Sequence, residues 1–120
     1  TSKPLILPHT TPLSSIRSLH PTALVLGPGP GSVHNSTDAG VSSLILSSPS
    51  FAGTPILGVC LGHQLLARSL NLTVSPLPLA VHGVPVTVDG QGWQRYNSWH
   101  VPEQELPSAK PEVKAGMRAA

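Results

Sequence analysis

The chain's lone cysteine, Cys60, stands in the run Ile56-Leu57-Gly58-Val59-Cys60-Leu61-Gly62-His63-Gln64, with one glycine two residues before it and another two residues after. Ile56 to Val59 is apolar without alternation, as expected of a buried parallel strand. From Leu61 onward, Leu61, Leu65, Leu66 and Leu70 recur at helical spacing and stop near Asn71. The run therefore reads as strand, tight turn and helix, the arrangement of a nucleophile elbow with Cys in place of Ser. So sharp a turn presses its flanks against the neighbouring strand and helix, and residues two away on either side must be nearly featureless to pack there. A helix starting at Leu61 aims its unpaired N–H groups and positive dipole end at Cys60, a setting that favours thiolate over thiol. The Leu61 N–H is then placed to donate to an oxyanion formed by attack on a carbonyl. Most lone cysteines are small buried hydrophobes; the paired glycines and the strand-to-helix context argue otherwise here.

Upstream, Pro4 to Leu7 and Ala23 to Leu26 are short apolar runs stopped by Pro8 and by Gly27-Pro28, and both read as buried parallel strands with a Ser- and Pro-punctuated connection between them. Ser36 or Thr37 can cap a helix in which Asp38 suits the first turn, Val41, Leu44 and Ile45 share a face, and Pro49 is the stop. Strand, connection, strand, helix, strand, helix predicts an α/β fold, an open and mostly parallel sheet with flanking helices. Beyond Leu72 the period changes. Val84, Val86 and Val88 alternate with Pro85, Thr87 and Asp89, Asp89-Gly90 supplies a turn, and a partner strand follows around Trp93 to Tyr96. Pro85 places this antiparallel segment at an edge.

Composition narrows the function. Pro, Gly and Ser are abundant, but Leu, Ile, Val and Phe account for 33 of 120 residues, enough to order a core. Charged residues are 10% of the chain and the net charge is +2, so no basic face is available for nucleic acid or an anionic membrane surface. A single cysteine excludes a disulfide framework and a multi-thiolate zinc site, and points to a reduced, cytoplasmic setting, with a plastid the alternative for a plant or alga. The sequons at Asn35 and Asn71 are read as chance, there being neither a signal-peptide pattern nor an apolar run of about 18 residues.

The second candidate element is Gly27-Pro28-Gly29-Pro30-Gly31, at the end of its own strand. Its glycines allow close backbone approach, its prolines stiffen it, and the N–H groups of Gly29 and Gly31 remain as donors. Without a Gly-Lys-Ser/Thr ending it is no phosphate loop. Ligands of open parallel sheets bind outside the carboxyl ends of the strands, where both this loop and Cys60 fall, so the two are expected to share one pocket suited to acyl transfer. The six histidines give no metal-site spacing, and His63, three residues past Cys60 on the same helix, has poor reach; no general base is assigned.

Gly27 to Gly31 together with Gly58 to Gln64 resemble the class I, triad-type glutamine amidotransferase domain. Val81-His82-Gly83 and Arg95-Tyr96-Asn97-Ser98-Trp99, with Leu106-Pro107, look like further segments of the glutaminase part of aminodeoxychorismate synthase and anthranilate synthase. The resemblance covers about residues 4–107 and implies a flavodoxin-like fold, with 1–107 a partial domain and 108–120 a tail or linker. It further implies that Cys60 attacks the side-chain amide of L-glutamine and forms a glutamyl thioester. The ammonia released would pass to a chorismate-using synthase domain or subunit, with no cofactor. Gly29, Pro30, Gly31 and Leu61 would hold substrate and oxyanion, and Gln64, Ser98 and Trp99 would contact the glutamine. Asn97 and Trp99 depart from the family's usual His and Leu, and no His-Pro-Glu-type segment carrying the family's general base follows Val101. The rival readings are another cysteine hydrolase of esters or lactones, and a non-catalytic docking domain.

Overall fold

A computed structural model of the chain describes residues 3–88, 90–102 and 117–118. At its centre, β1 (Leu24–Leu26) and β2 (Ile56–Gly58) pair in parallel, Leu24 opposite Ile56 and Leu26 opposite Gly58. Parallel pairing demands a crossover. It is supplied by α2 (Ser36–Ala39), α3 (Val41–Ser47) and a 3₁₀ turn at Pro49–Phe51, which Pro49 opens where α3 stops. After β2 comes α4 (Leu61–Ser69), followed by an antiparallel hairpin of β3 (Ser75–Val88) and β4 (Gln91–His100). Leu24, Leu26 and Ile56 meet Ile16, Val41, Ile45 and Phe51 in one core cluster, and Leu61, Leu65 and Ala67 of α4 meet Val33, Ala39 and Val74 in a second.

Several expectations are corrected. Pro4 to Leu7 is no strand: Ile6 is 90% exposed, and the described ladders pair β1 only with β2 and β2 with the two-residue β5 (Met117–Arg118). Pro4 and Pro8 contribute no N–H donors, and a short apolar run bounded by prolines cannot be told from a loop by pattern alone. The connection after it contains α1 (Leu13–Ser18), which buries Ile16. Burial of β1 and β2 is one-sided rather than two-sided, Val25 of β1 being 66% and Leu57 of β2 38% exposed. Met117–Arg118 lies antiparallel to Leu57 and Ile56.

The helix expected over Asp38 to Ile45 is two helices. Asn35, not Ser36 or Thr37, caps the first, its side chain accepting from the Thr37 N–H at 3.0 Å. Gly40, at φ 54°, separates them because the His9 backbone comes in at that point: the Val41 N–H donates to the His9 carbonyl at 2.9 Å, and a Cβ on Gly40 would lie 2.7 Å from that oxygen. α3 buries Val41 and Ile45 but leaves Leu44 exposed. The hairpin turns at Gly90 (φ +76°) with Val88 opposite Gln91, as the alternating valines predict. It begins earlier than that pattern shows, through Pro76, with register shifts between Pro76 and Val81 and between His82 and Val84.

Candidate active site

Cys60 is exposed and immediately precedes α4, with φ 54° and ψ −111°. A non-glycine residue pays to hold such a backbone. The turn is held on both sides: the Val59 N–H donates to the Leu26 carbonyl at 2.9 Å, the Gly62 N–H to the Val59 carbonyl at 3.0 Å and the Gln64 N–H to the Cys60 carbonyl at 3.0 Å. Both glycines are required by contact. A Cβ on Gly58 would lie 2.6 Å from the Gly62 carbonyl oxygen, and one on Gly62 would lie 2.0 Å from that of Leu26. Leu61, as the first residue of α4, has an N–H with no intrahelical acceptor.

The Gly/Pro loop meets this turn. A Cβ on Gly29 would touch the Leu61 side chain at 3.3 Å, so the loop after β1 and the turn after β2 lie together at the carboxyl ends of the two parallel strands. Gly31 takes φ +95°, and a Cβ there would collide with the Asp38 carboxylate. Asp38 accepts from the Ser32 N–H at 3.0 Å and clamps the far end of the loop. Its clamping role was not legible, because Asp38 reads equally as a first-turn helix residue. Asp38→Ala is expected to lower stability by about 1.5–3 kcal/mol, the usual contribution of a hydrogen bond to a charged group, in a urea unfolding curve followed by circular dichroism.

Gln64 is buried, and its Nε2 donates to the Trp99 carbonyl at 3.3 Å, which ties β4 to α4. Trp99 packs against the second core cluster and its ring lies 5.2 Å from that of His34. Ser98 is the neighbouring residue on β4, and Pro30 lies between the two loop glycines. Cys60, Gly29, Leu61, Gln64 and Trp99 are thus linked by direct contacts or backbone continuity. Among the described residues no group of three or more His, Cys, Asp or Glu side chains could hold a metal ion. No described helix is long and apolar enough to cross a membrane.

The sequence model of the family described as glutamine amidotransferase class-I matches residues 2–114. The chain belongs to the class-I glutamine amidotransferase family. An anthranilate synthase component 2 from Haloferax volcanii is 40% identical over 86 residues, 70% of this chain and 42% of the relative. An anthranilate synthase component II from Haloarcula marismortui is 33% identical over 126 residues, 92% of this chain and 60% of the relative. A glutamine-hydrolyzing GMP synthase from Parafrankia is 35% identical over 88 residues, 72% of this chain and 16% of the relative. The chain spans about half the length of the two anthranilate synthase relatives. Membership of this amidotransferase family accords with the parallel pair, its flanking helices and the antiparallel hairpin.

Proposed function

We propose that this amidotransferase chain carries the nucleophile and substrate cradle of a glutaminase that supplies ammonia to a chorismate-aminating synthase of the aminodeoxychorismate or anthranilate type. The observation that carries the reading is the exposed Cys60 at a strained turn before α4, with Gly29 packed on Leu61 beside it. The Cys60 sulfur adds to the side-chain carbonyl carbon of glutamine. The carbonyl electrons move onto oxygen, where the Leu61 N–H and the Gly29 to Gly31 backbone donate to the oxyanion. Collapse breaks the C–N bond, ammonia departs with a proton delivered by a general acid, and water cleaves the glutamyl thioester. Two relatives named as anthranilate synthase components support the acceptor class, as do the segments around His82 and Tyr96.

These 120 residues hold no His-Pro-Glu-type segment after Val101, and by themselves they are expected to acylate slowly, about 10²–10⁴-fold below an enzyme with its base in place. Intact-mass measurement after exposure to a glutamine-mimicking electrophile tests the reading. One adduct at Cys60, slowed by added glutamine, is the expected result. Equal labelling before and after unfolding, or no protection by glutamine, would reject it; protection by an ester or lactone instead would favour another cysteine hydrolase.

A further inference from the structure

Just past the Gly27 to Gly31 loop, the His34 N–H donates to the Ser32 Oγ at 3.1 Å and fixes the backbone from which the His34 ring projects. The ring touches three other segments. Its Nε2 bonds the Val74 carbonyl at 3.2 Å ahead of β3, its Nδ1 meets the Arg68 guanidinium near the end of α4, and the ring lies 5.2 Å from that of Trp99 on β4. We propose that His34 is a positioning residue for the glutamine cradle, holding Trp99 and the end of the Gly27 to Gly31 loop in place as a neutral imidazole with its proton on Nε2. The identity of the ligand rests on the glutaminase reading; the state of the ring does not.

The partners fix where the proton sits. A guanidinium has donors and no acceptor, so the ring nitrogen facing Arg68 must accept and carries no proton. The Val74 carbonyl can only accept, so Nε2 must donate. One state of the ring meets both demands, and it is uncharged. A second proton, on Nδ1, would set N–H against N–H and a cation against the guanidinium. The same Arg68 Nη1 donates to the Val33 carbonyl at 3.0 Å, which holds Arg68 where it is. Among the described residues, Arg68 of α4 is the charged group that meets the ring, while Val74 presents a carbonyl and Trp99 of β4 an indole. Asp38 of α2 accepts from the Ser32 N–H, and His100, beside Trp99, bonds the Ser75 carbonyl. His34 is exposed, so its ring exchanges protons with water. Its state reaches the site by two routes: through Ser32, the next residue after Gly31, and through Trp99, which packs against the cluster containing Leu61 while its carbonyl receives Gln64.

The test is two-dimensional NMR on the ¹⁵N-labelled chain, first alone and then with L-glutamine, between about pH 8 and about pH 5, the range in which imidazoles change charge. At the upper end, long-range ¹H–¹⁵N correlations of the His34 ring are expected to show its proton on Nε2. As acid adds the second proton, the Trp99 indole N–H and the Gly31 and Ser32 amides are expected to move with the ring on one shared midpoint. Both readouts use the unaltered chain. In His34→Gln, which offers an amide donor and takes no proton, the same three signals are expected to stay in place. The L-glutamine concentration that half-saturates the Gly29 and Gly31 shifts is expected to rise about tenfold on acidification of the parent, for loss of the bonds to Arg68 and Val74, and to change less than about twofold in His34→Gln. A proton on Nδ1 at the upper end, Trp99 and Gly31 signals that do not follow the ring, an equal acid response in His34→Gln, or a parent glutamine affinity unmoved by acid would each overturn the proposal. A parent that answers glutamine at neither pH would instead reject the glutaminase reading, and the ring state with the Trp99 and Gly31 response would still decide the role of His34.

Discussion

Gly62→Ala is expected to cost about 3 kcal/mol or more, a large share of what holds a small domain together. The added Cβ would stand 2.0 Å from the Leu26 carbonyl oxygen, and neither partner is a movable side chain. That oxygen is also engaged by the Val59 N–H, so shifting β1 away breaks the bond that seats the turn, while shifting α4 drags Cys60 with it. Urea unfolding followed by circular dichroism reads the loss. Gly27→Ala and Gly53→Ala serve as controls, because a Cβ at either meets nothing within 4 Å; both are expected to stay within about 0.5 kcal/mol of the parent. A Gly62→Ala chain as stable as these controls would show that the elbow does not pack as described.

Cys60→Gly carries the opposite sign on stability and the largest effect on chemistry. At φ 54° and ψ −111° the cysteine occupies backbone that glycine adopts freely, and replacing it is expected to stabilise the chain by about 1–2 kcal/mol. The same change removes the sulfur and with it all adduct formation with a glutamine-mimicking electrophile. Cys60→Ala separates the two effects: it also abolishes the adduct but keeps the backbone strain. A destabilised Cys60→Gly chain, or persistent labelling at residue 60, would contradict both the geometry and the role proposed for the thiol.

The elbow was legible because its requirements are local. Gly58 and Gly62 are dictated by contacts with strand and helix backbone within a few residues of Cys60, and those contacts leave a spacing in the sequence. The Gly90 hairpin was legible for the same reason, since alternating valines and a two-residue turn specify their own register. What failed depends on partners distant in the chain. Pro4 to Leu7 has the composition of a strand without the neighbour that makes one. The break at Gly40 in what the pattern shows as one helix comes from the His9 carbonyl, which accepts from the Val41 N–H. Asp38 holding the Ser32 N–H, Arg68 bracing Val33 and Gln64 reaching the Trp99 carbonyl join segments that no periodicity connects.

The parallel pairing of β1 with β2 also orders events in time. Their contact waits for residues 27–55 to close on themselves, whereas β3 and β4 meet across a turn at Gly90 and can zip within microseconds. The bend that presents Cys60 has no shape until Leu26 and Val59 are aligned. During refolding, then, the hairpin that carries Trp99 stands ready first, and the nucleophile is the late arrival.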